Sequence, residues 1–141
     1  MENTQIMIAL QKLNITINKT VGNDLKRYNL NPSEFGILAH LYVQGRSKTQ
    51  RIGEIVFITS GAITYFTNKF VNKGLITRLQ DENDKRIYWL ELTEKGKEFY
   101  LEVIEKHTEY LNNLFAKFNE IEKETLYTHL RYFDKELKKE Q

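Results

Sequence analysis

Apolar residues recur at Ile6, Leu10, Leu13, Ile17, Val21 and Leu25, spaced by four and three, with polar residues between them. That period draws one stripe down a long first helix, and a stripe of that length needs a partner surface. A second helix is announced by Asn31-Pro32-Ser33-Glu34. Asn31 is its N-cap, Pro32 takes the first helical position, where no N–H is required, and Glu34 reaches back as a capping box. Phe35, Leu38, Ala39 and Tyr42 form its buried face, and it stops near Gln44-Gly45. A short third helix is expected over Thr49–Phe57, with Ile52, Ile55 and Val56 on one face. Thr59 caps a fourth, Ser60 to Lys73, whose buried stripe is Ile63, Phe66 or Thr67, and Phe70. Gly74 follows, at the place where a left-handed residue ends a helix.

The period then changes from helical to strand-like. Leu75–Gln80 and Ile87–Leu92 are rich in β-branched and aromatic residues, and the wholly polar run Asp81–Arg86 separates them, which reads as a hairpin with a charged loop. Thr93 caps a fifth helix carrying Phe99, Val103, His107, Tyr110, Leu111 and Leu114 to about Lys117. Asn119 with Glu122 opens a last helix, with Leu126, Leu130, Phe133 and Leu137. The expected fold is mainly α with a small antiparallel β-hairpin. A compact block, 31–92, lies between helical regions at 1–30 and 93–141. These flanking helices are expected to pack across a two-fold axis with a second copy, through Ile6, Leu10, Leu13, Leu126, Leu130, Phe133 and Leu137.

Composition narrows the chemistry. One proline and seven glycines in 141 residues favour long helices. The absence of cysteine excludes a disulfide framework, a thiolate metal site and a cysteine redox switch, and fits a reducing cytoplasm. No apolar run approaches the ~20 residues that span a bilayer. The first residues lack the features of a signal peptide, so a cytoplasmic location without membrane contact is expected. The net charge of +2 says little, but its distribution says more. Residues 1–44 carry four Lys/Arg against three acids, 45–90 eight against four, and 91–141 nine against twelve. The basic excess sits in the middle, as expected if the middle meets a polyanion.

The third and fourth helices, joined by Ile58-Thr59-Ser60, form a helix-turn-helix. Its buried stripe leaves Thr59 at the helix start, and Ser60, Gly61, Ala62, Thr64, Tyr65, Asn68 and Lys69, to face outward. Small residues let a helix sink into the ~12 Å major groove, and hydroxyls and amides read base edges there. No acid occurs between Glu54 and Asp81, a stretch of 26 residues. Lys85 and Arg86, at the base of the charged hairpin, can reach the adjacent minor groove or the backbone of double-stranded DNA. Arg86 has a rival role, an ion pair with Asp81 or Asp84 that orders the loop, and both roles can hold.

Catalysis finds no support. His40, His107 and His129 are scattered, and no zinc-protease helix, phosphate-cradling loop or nucleophile elbow is present. Glu105, His107 and Glu109 alternate, which a helix points to different faces, so a surface histidine is the default reading of His107. No metal, cofactor or catalytic site is expected. The alternative to an operator-binding protein is a winged helix used for protein or RNA contacts, because the middle segment's excess of four positive charges is modest.

The run from Arg51 to Phe99 contains Gly61-Ala62-Ile63-Thr64, Lys73-Gly74-Leu75-Ile76-Thr77-Arg78, Asp81-Glu82-Asn83-Asp84-Lys85-Arg86 and Leu92-Thr93-Glu94-Lys95-Gly96. On these motifs it resembles the MarR (multiple antibiotic resistance regulator) family. The family's wing reads Asp-x-Arg-Asp-x-Arg. Asp81, Asp84 and Arg86 match it, while Asn83 stands in place of the first arginine and weakens or removes one contact. The resemblance implies a winged helix-turn-helix homodimer, triangular in outline, whose first and last helices form the dimer interface. It implies a repressor of a pseudo-palindromic operator, with half-sites one helical turn, roughly 34 Å, apart. Release by a small phenolic or quinone-like effector is implied too. Asn31-Pro32-Ser33-Glu34-Phe35 and Ser60–Tyr65 resemble the quinone- and catechol-responsive subgroup, and the lack of cysteine argues against the peroxide sensors that oxidise a thiol. Asn18, Val21, Phe35, His40 and Tyr110 are the candidate lining of an effector crevice.

Overall fold

The computed structural model describes residues 2–56 and 58–141, so Phe57, expected at the end of the third helix, lies outside the described residues. The element order is α1 (Asn3–Leu25), a 3₁₀ turn (Lys26–Tyr28), α2 (Pro32–Gln44), β1 (Ser47–Lys48), α3 (Thr49–Ile55), α4 (Ser60–Asn72), β2 (Ile76–Gln80), β3 (Tyr88–Leu92), α5 (Glu94–Phe115) and α6 (Glu120–Lys138). Packing divides the chain into two units, Met1–His107 and Thr108–Gln141.

The first unit is built around Leu25, Ile37, Leu38, Ile52, Phe70, Ile76, Leu90 and Val103, all at most 2% exposed. Burying such a side chain stabilises the fold by about 1.5–3 kcal/mol. The core draws in the last turn of α1 and the first half of α5. Most of the expected α1 stripe stays outside this core: Ile6, Leu13 and Ile17 remain 37–48% exposed.

The expected helix starts and stops are present. Asn31 Oδ1 accepts from the Glu34 N–H and Glu34 Oε2 from the Asn31 N–H, both at 2.8 Å. Asn119 and Glu122 repeat the arrangement at α6. After α4, Gly74 has φ +71°, the Leu75 N–H donates to the Phe70 carbonyl and the Gly74 N–H to Val71. These are the paired bonds of a Schellman ending, in which glycine avoids the strain of a left-handed backbone. Thr93 Oγ1 accepts from the Gly96 N–H at 3.0 Å and donates to the Gly74 carbonyl at 2.6 Å, tying the start of α5 to the end of α4. A side chain on Gly96 would collide with the Leu75 carbonyl.

The sheet has a strand beyond the expected hairpin. Its order is β1-β3-β2, all antiparallel, with Ser47 opposite Leu90 and Lys48 opposite Trp89. Two residues are too few to show an alternating pattern, which is why Ser47–Lys48 gave no strand signal. Among the described residues no helix is long and apolar enough to cross a membrane.

His107 corrects an expectation. It is 3% exposed, and its Nδ1 lies 2.7 Å from Oδ2 of the equally buried Asp24, whose Oδ1 accepts from Arg27 at 2.6 Å. The Phe35 ring meets the imidazole edge-on. A carboxylate 83 positions away buries this histidine, and helical spacing alone cannot reveal such a partner.

In the second unit, α6 has no buried residue. Leu126, Leu130 and Leu137 are 41–46% exposed and Phe133 is half-buried. Phe115, Phe118, Leu126, Tyr127 and Leu130 line an apolar groove of about 290 Å³.

Candidate nucleic-acid interface

The interface starts with α4. The Thr59 Oγ1 accepts from the Ala62 N–H at 3.2 Å and fixes where the helix begins. Ile63, Thr67 and Phe70 face the core, and Phe66 is half-buried. Ser60, Gly61, Thr64, Tyr65 and Asn68 are exposed and Ala62 is half-buried, with Tyr65 at 68% exposure. The Thr64 hydroxyl bonds back to the Ser60 carbonyl at 3.0 Å.

Lys69 departs from its expected outward position. Its Nζ donates to Glu34 Oε1 and to the Asn29 carbonyl, each at 2.7 Å, and its side chain is only 22% exposed. Glu34, buried in the α2 capping box, supplies the counter-charge that turns the ammonium inward. Asn29 has a left-handed backbone, φ +57°, which asparagine tolerates.

The wing is ordered by its own carboxylates. Asp81 Oδ2 accepts from the amides of Asn83 and Asp84 at 3.0 Å, while Oδ1 accepts from the Trp89 indole N–H at 2.8 Å. The indole bond, with the two amides, holds the Asp81 carboxyl below the usual carboxylate range. Asp84 grips Arg86 through both oxygens, at 3.0 and 2.9 Å, and that guanidinium keeps the Asp84 carboxyl low as well. Arg86 nevertheless stays 90% exposed, so loop ordering and a DNA contact are compatible at this residue. Lys85 is exposed beside it.

Three exposed basic residues that periodicity did not select pack on the aromatic rings of β3. Arg46 and Lys48 lie 5.0 and 5.3 Å from the Trp89 ring centre, and Arg78 lies 4.9 Å from that of Tyr88. A cleft of about 530 Å³ between α4 and the wing is lined by Lys48, Gln50, Ser60, Thr64 and Arg86, among others. Lys48 and Gln50 carried no motif of their own. Their one signal was a place in the basic middle segment.

Two of the candidate effector residues share a cavity. Asn18 and His40 border one cavity of about 550 Å³, with Pro32, Ser33, Gly36 and Val43. Val21 packs against the core, Phe35 stacks on Tyr100 with ring centres 5.8 Å apart, and Tyr110 belongs to the second unit. The Ser47 hydroxyl donates to the Gly45 carbonyl, so His40 Nε2, 3.0 Å away, donates to Ser47. Burial, and then Arg51, push the His40 pKa down, so the ring is neutral at pH 7 with Nδ1 as an acceptor.

A helix-turn-helix with an acid-free reading helix, flanked by a hairpin with exposed cations, defines a winged helix-turn-helix protein. The family model for MarR matches residues 30–88. The chain is 33% identical over 108 residues to the uncharacterized HTH-type transcriptional regulator YkoM of Bacillus subtilis, covering 77% of this chain and 70% of that one. It is 29% identical over 120 residues to the HTH-type transcriptional regulator MhqR of the same organism, covering 85% and 83%. The fold matches the crystal structure of a mutant MarR from E. coli complexed with operator DNA, with a TM-score of 0.77, 20% identity and coverage of 94% and 99%. The chain belongs to the MarR family of helix-turn-helix transcriptional regulators.

Proposed function

We propose that this chain acts in the cytoplasm as a homodimeric repressor of a pseudo-palindromic operator. The observation that carries the reading is the outward face of α4: Ser60, Gly61, Thr64, Tyr65 and Asn68 lie exposed without an acid, next to the exposed Lys85 and Arg86. Such a face offers hydroxyls, an amide and a phenol to base edges, while the wing offers positive charge to phosphates. A second copy supplies the other reading head. Its cover for the exposed apolar residues of α1 and α6 accounts for faces that a lone chain leaves in water.

The cavity beside Asn18 and His40 suits a small phenolic or quinone-like effector, since a phenol hydroxyl donates to a neutral imidazole nitrogen. A ligand held there releases DNA only by binding more tightly to the state with unsuitable head spacing. The test is selection of bound sequences from a random duplex library, with the solution mass measured in parallel. The reading expects a dimer that selects two inverted half-sites about one helical turn apart. A monomer, or selection of no sequence, contradicts it.

A further inference from the structure

Arg78 stands where the wing meets the reading helix. The register of β2 and β3 places Ile76, Arg78 and Gln80 opposite Leu92, Leu90 and Tyr88. Residues two apart share a face of a sheet, so these six lie on one side. Its inner end is apolar and buried. Its outer end is Arg78, Gln80 and Tyr88, all exposed.

The outer end is bonded in a chain that runs from α4 to the wing loop. Arg78 Nη1 donates to Asn68 Oδ1 at 3.2 Å, and the guanidinium lies over the Tyr88 ring. Gln80 Nε2 reaches the Tyr88 hydroxyl at 3.4 Å and donates to the Lys85 carbonyl at 2.6 Å. A guanidinium that donates to an amide oxygen while lying over an aromatic ring is held in direction by two contacts.

The chemistry of the pair fixes the Asn68 amide. A guanidinium has donors only, so the atom that faces it is the oxygen. The NH₂ branch therefore points away from Arg78. We infer that Arg78 is a positioning residue that holds Asn68 donor-outward, so that Asn68 meets DNA only at acceptor groups. A free asparagine reads adenine with oxygen and nitrogen together, accepting from N6 and donating to N7. With its oxygen turned to the wing, Asn68 loses the bidentate adenine contact and can only donate, to N7 of either purine, guanine O6, thymine O4 or a phosphate oxygen. This inference rests on the operator-binding reading above.

The test uses the full-length protein and a duplex that the wild type selects from a random library. Affinities are measured over a range of salt concentrations for the wild type, Arg78→Ala, Arg78→Lys, Asn68→Ala and the double variant Arg78→Ala/Asn68→Ala. The two alanine variants are expected to bind about ten-fold more weakly, with the double variant within about two-fold of the weaker single one. Arg78→Ala should leave the salt slope unchanged, and Arg78→Lys should fail like it, because planar geometry rather than charge is what is lost. Selection repeated with Arg78→Ala should gain adenine at one position of each half-site. Additive losses, a salt slope reduced by about one in Arg78→Ala but not in Arg78→Lys, or an unchanged selected sequence would overturn the positioning role and leave operator binding intact. A wild type that selects no sequence would overturn operator binding and this inference together.

Discussion

The helices α4 and α6 expose most of their surface, yet what they expose is opposite in kind. Along α4, three inward residues anchor the helix, and the exposed ones from Ser60 to Asn68 are hydroxyls, an amide, a phenol and a glycine, with Val71 and Asn72 exposed only in its last turn. Along α6, nothing is buried. Its surface alternates Ile121, Leu126, Leu130 and Leu137 with ion pairs such as Lys123–Glu120 and Lys138–Asp134. Exposure by itself therefore does not name a partner. An acid-free polar face suits a polyanion, whereas leucines edged by pairs of both signs suit another protein surface.

The contrast can be broken from either side. Leu130→Glu sets a charge into the apolar face of α6. It is expected to yield a monomer by light scattering and to weaken duplex binding by about 10²–10⁴-fold, since two linked heads act at high effective concentration. Glu34→Ala addresses what holds α4 from behind. It removes half of a capping box and leaves Lys69 partly buried without its counter-charge, so denaturant unfolding should show a loss of about 2–3 kcal/mol. Arg86→Ala should weaken binding about ten-fold on every duplex sequence and lower the salt slope by about one.

Acid gives the smallest effect. Trp89 is the sole tryptophan and donates to Asp81, so its fluorescence reports the order of the wing. Asp81 and Asp84 are held below the ordinary carboxylate pKa of 3.8. A depressed folded pKa means that the stabilisation is complete above the unfolded value and is lost as pH falls through the folded one. The emission should stay constant down to about pH 4 and change only below it.

Much of this architecture was legible because its signals are local. Caps at Asn31, Thr59, Thr93 and Asn119, the Gly74 ending and the stripe Ile63–Thr67–Phe70 each depend on residues a few places apart. What escaped depends on pairs far apart in the chain. Lys69 has an ordinary solvent-facing position on its helix until Glu34, 35 residues earlier, turns it inward. His107 follows the same logic with Asp24. Arg46 and Lys48 lie over the Trp89 ring and Arg78 over that of Tyr88, and the sheet register brings Lys48 and Arg78 to β3. Of the candidate crevice, Asn18 and His40 share a cavity, while Val21 and Phe35 pack against the core.

On the proposed reading, α4 and the wing together form a surface for duplex DNA. That surface is probed by the affinity of the wild-type protein for a selected duplex as a function of salt. Counterion release predicts a straight line of log affinity against log salt, falling with a slope of about −0.9 for each phosphate contacted, and a steeper line for the selected duplex than for single-stranded DNA of the same sequence. An affinity indifferent to salt, or equal for the two forms of DNA, would contradict it.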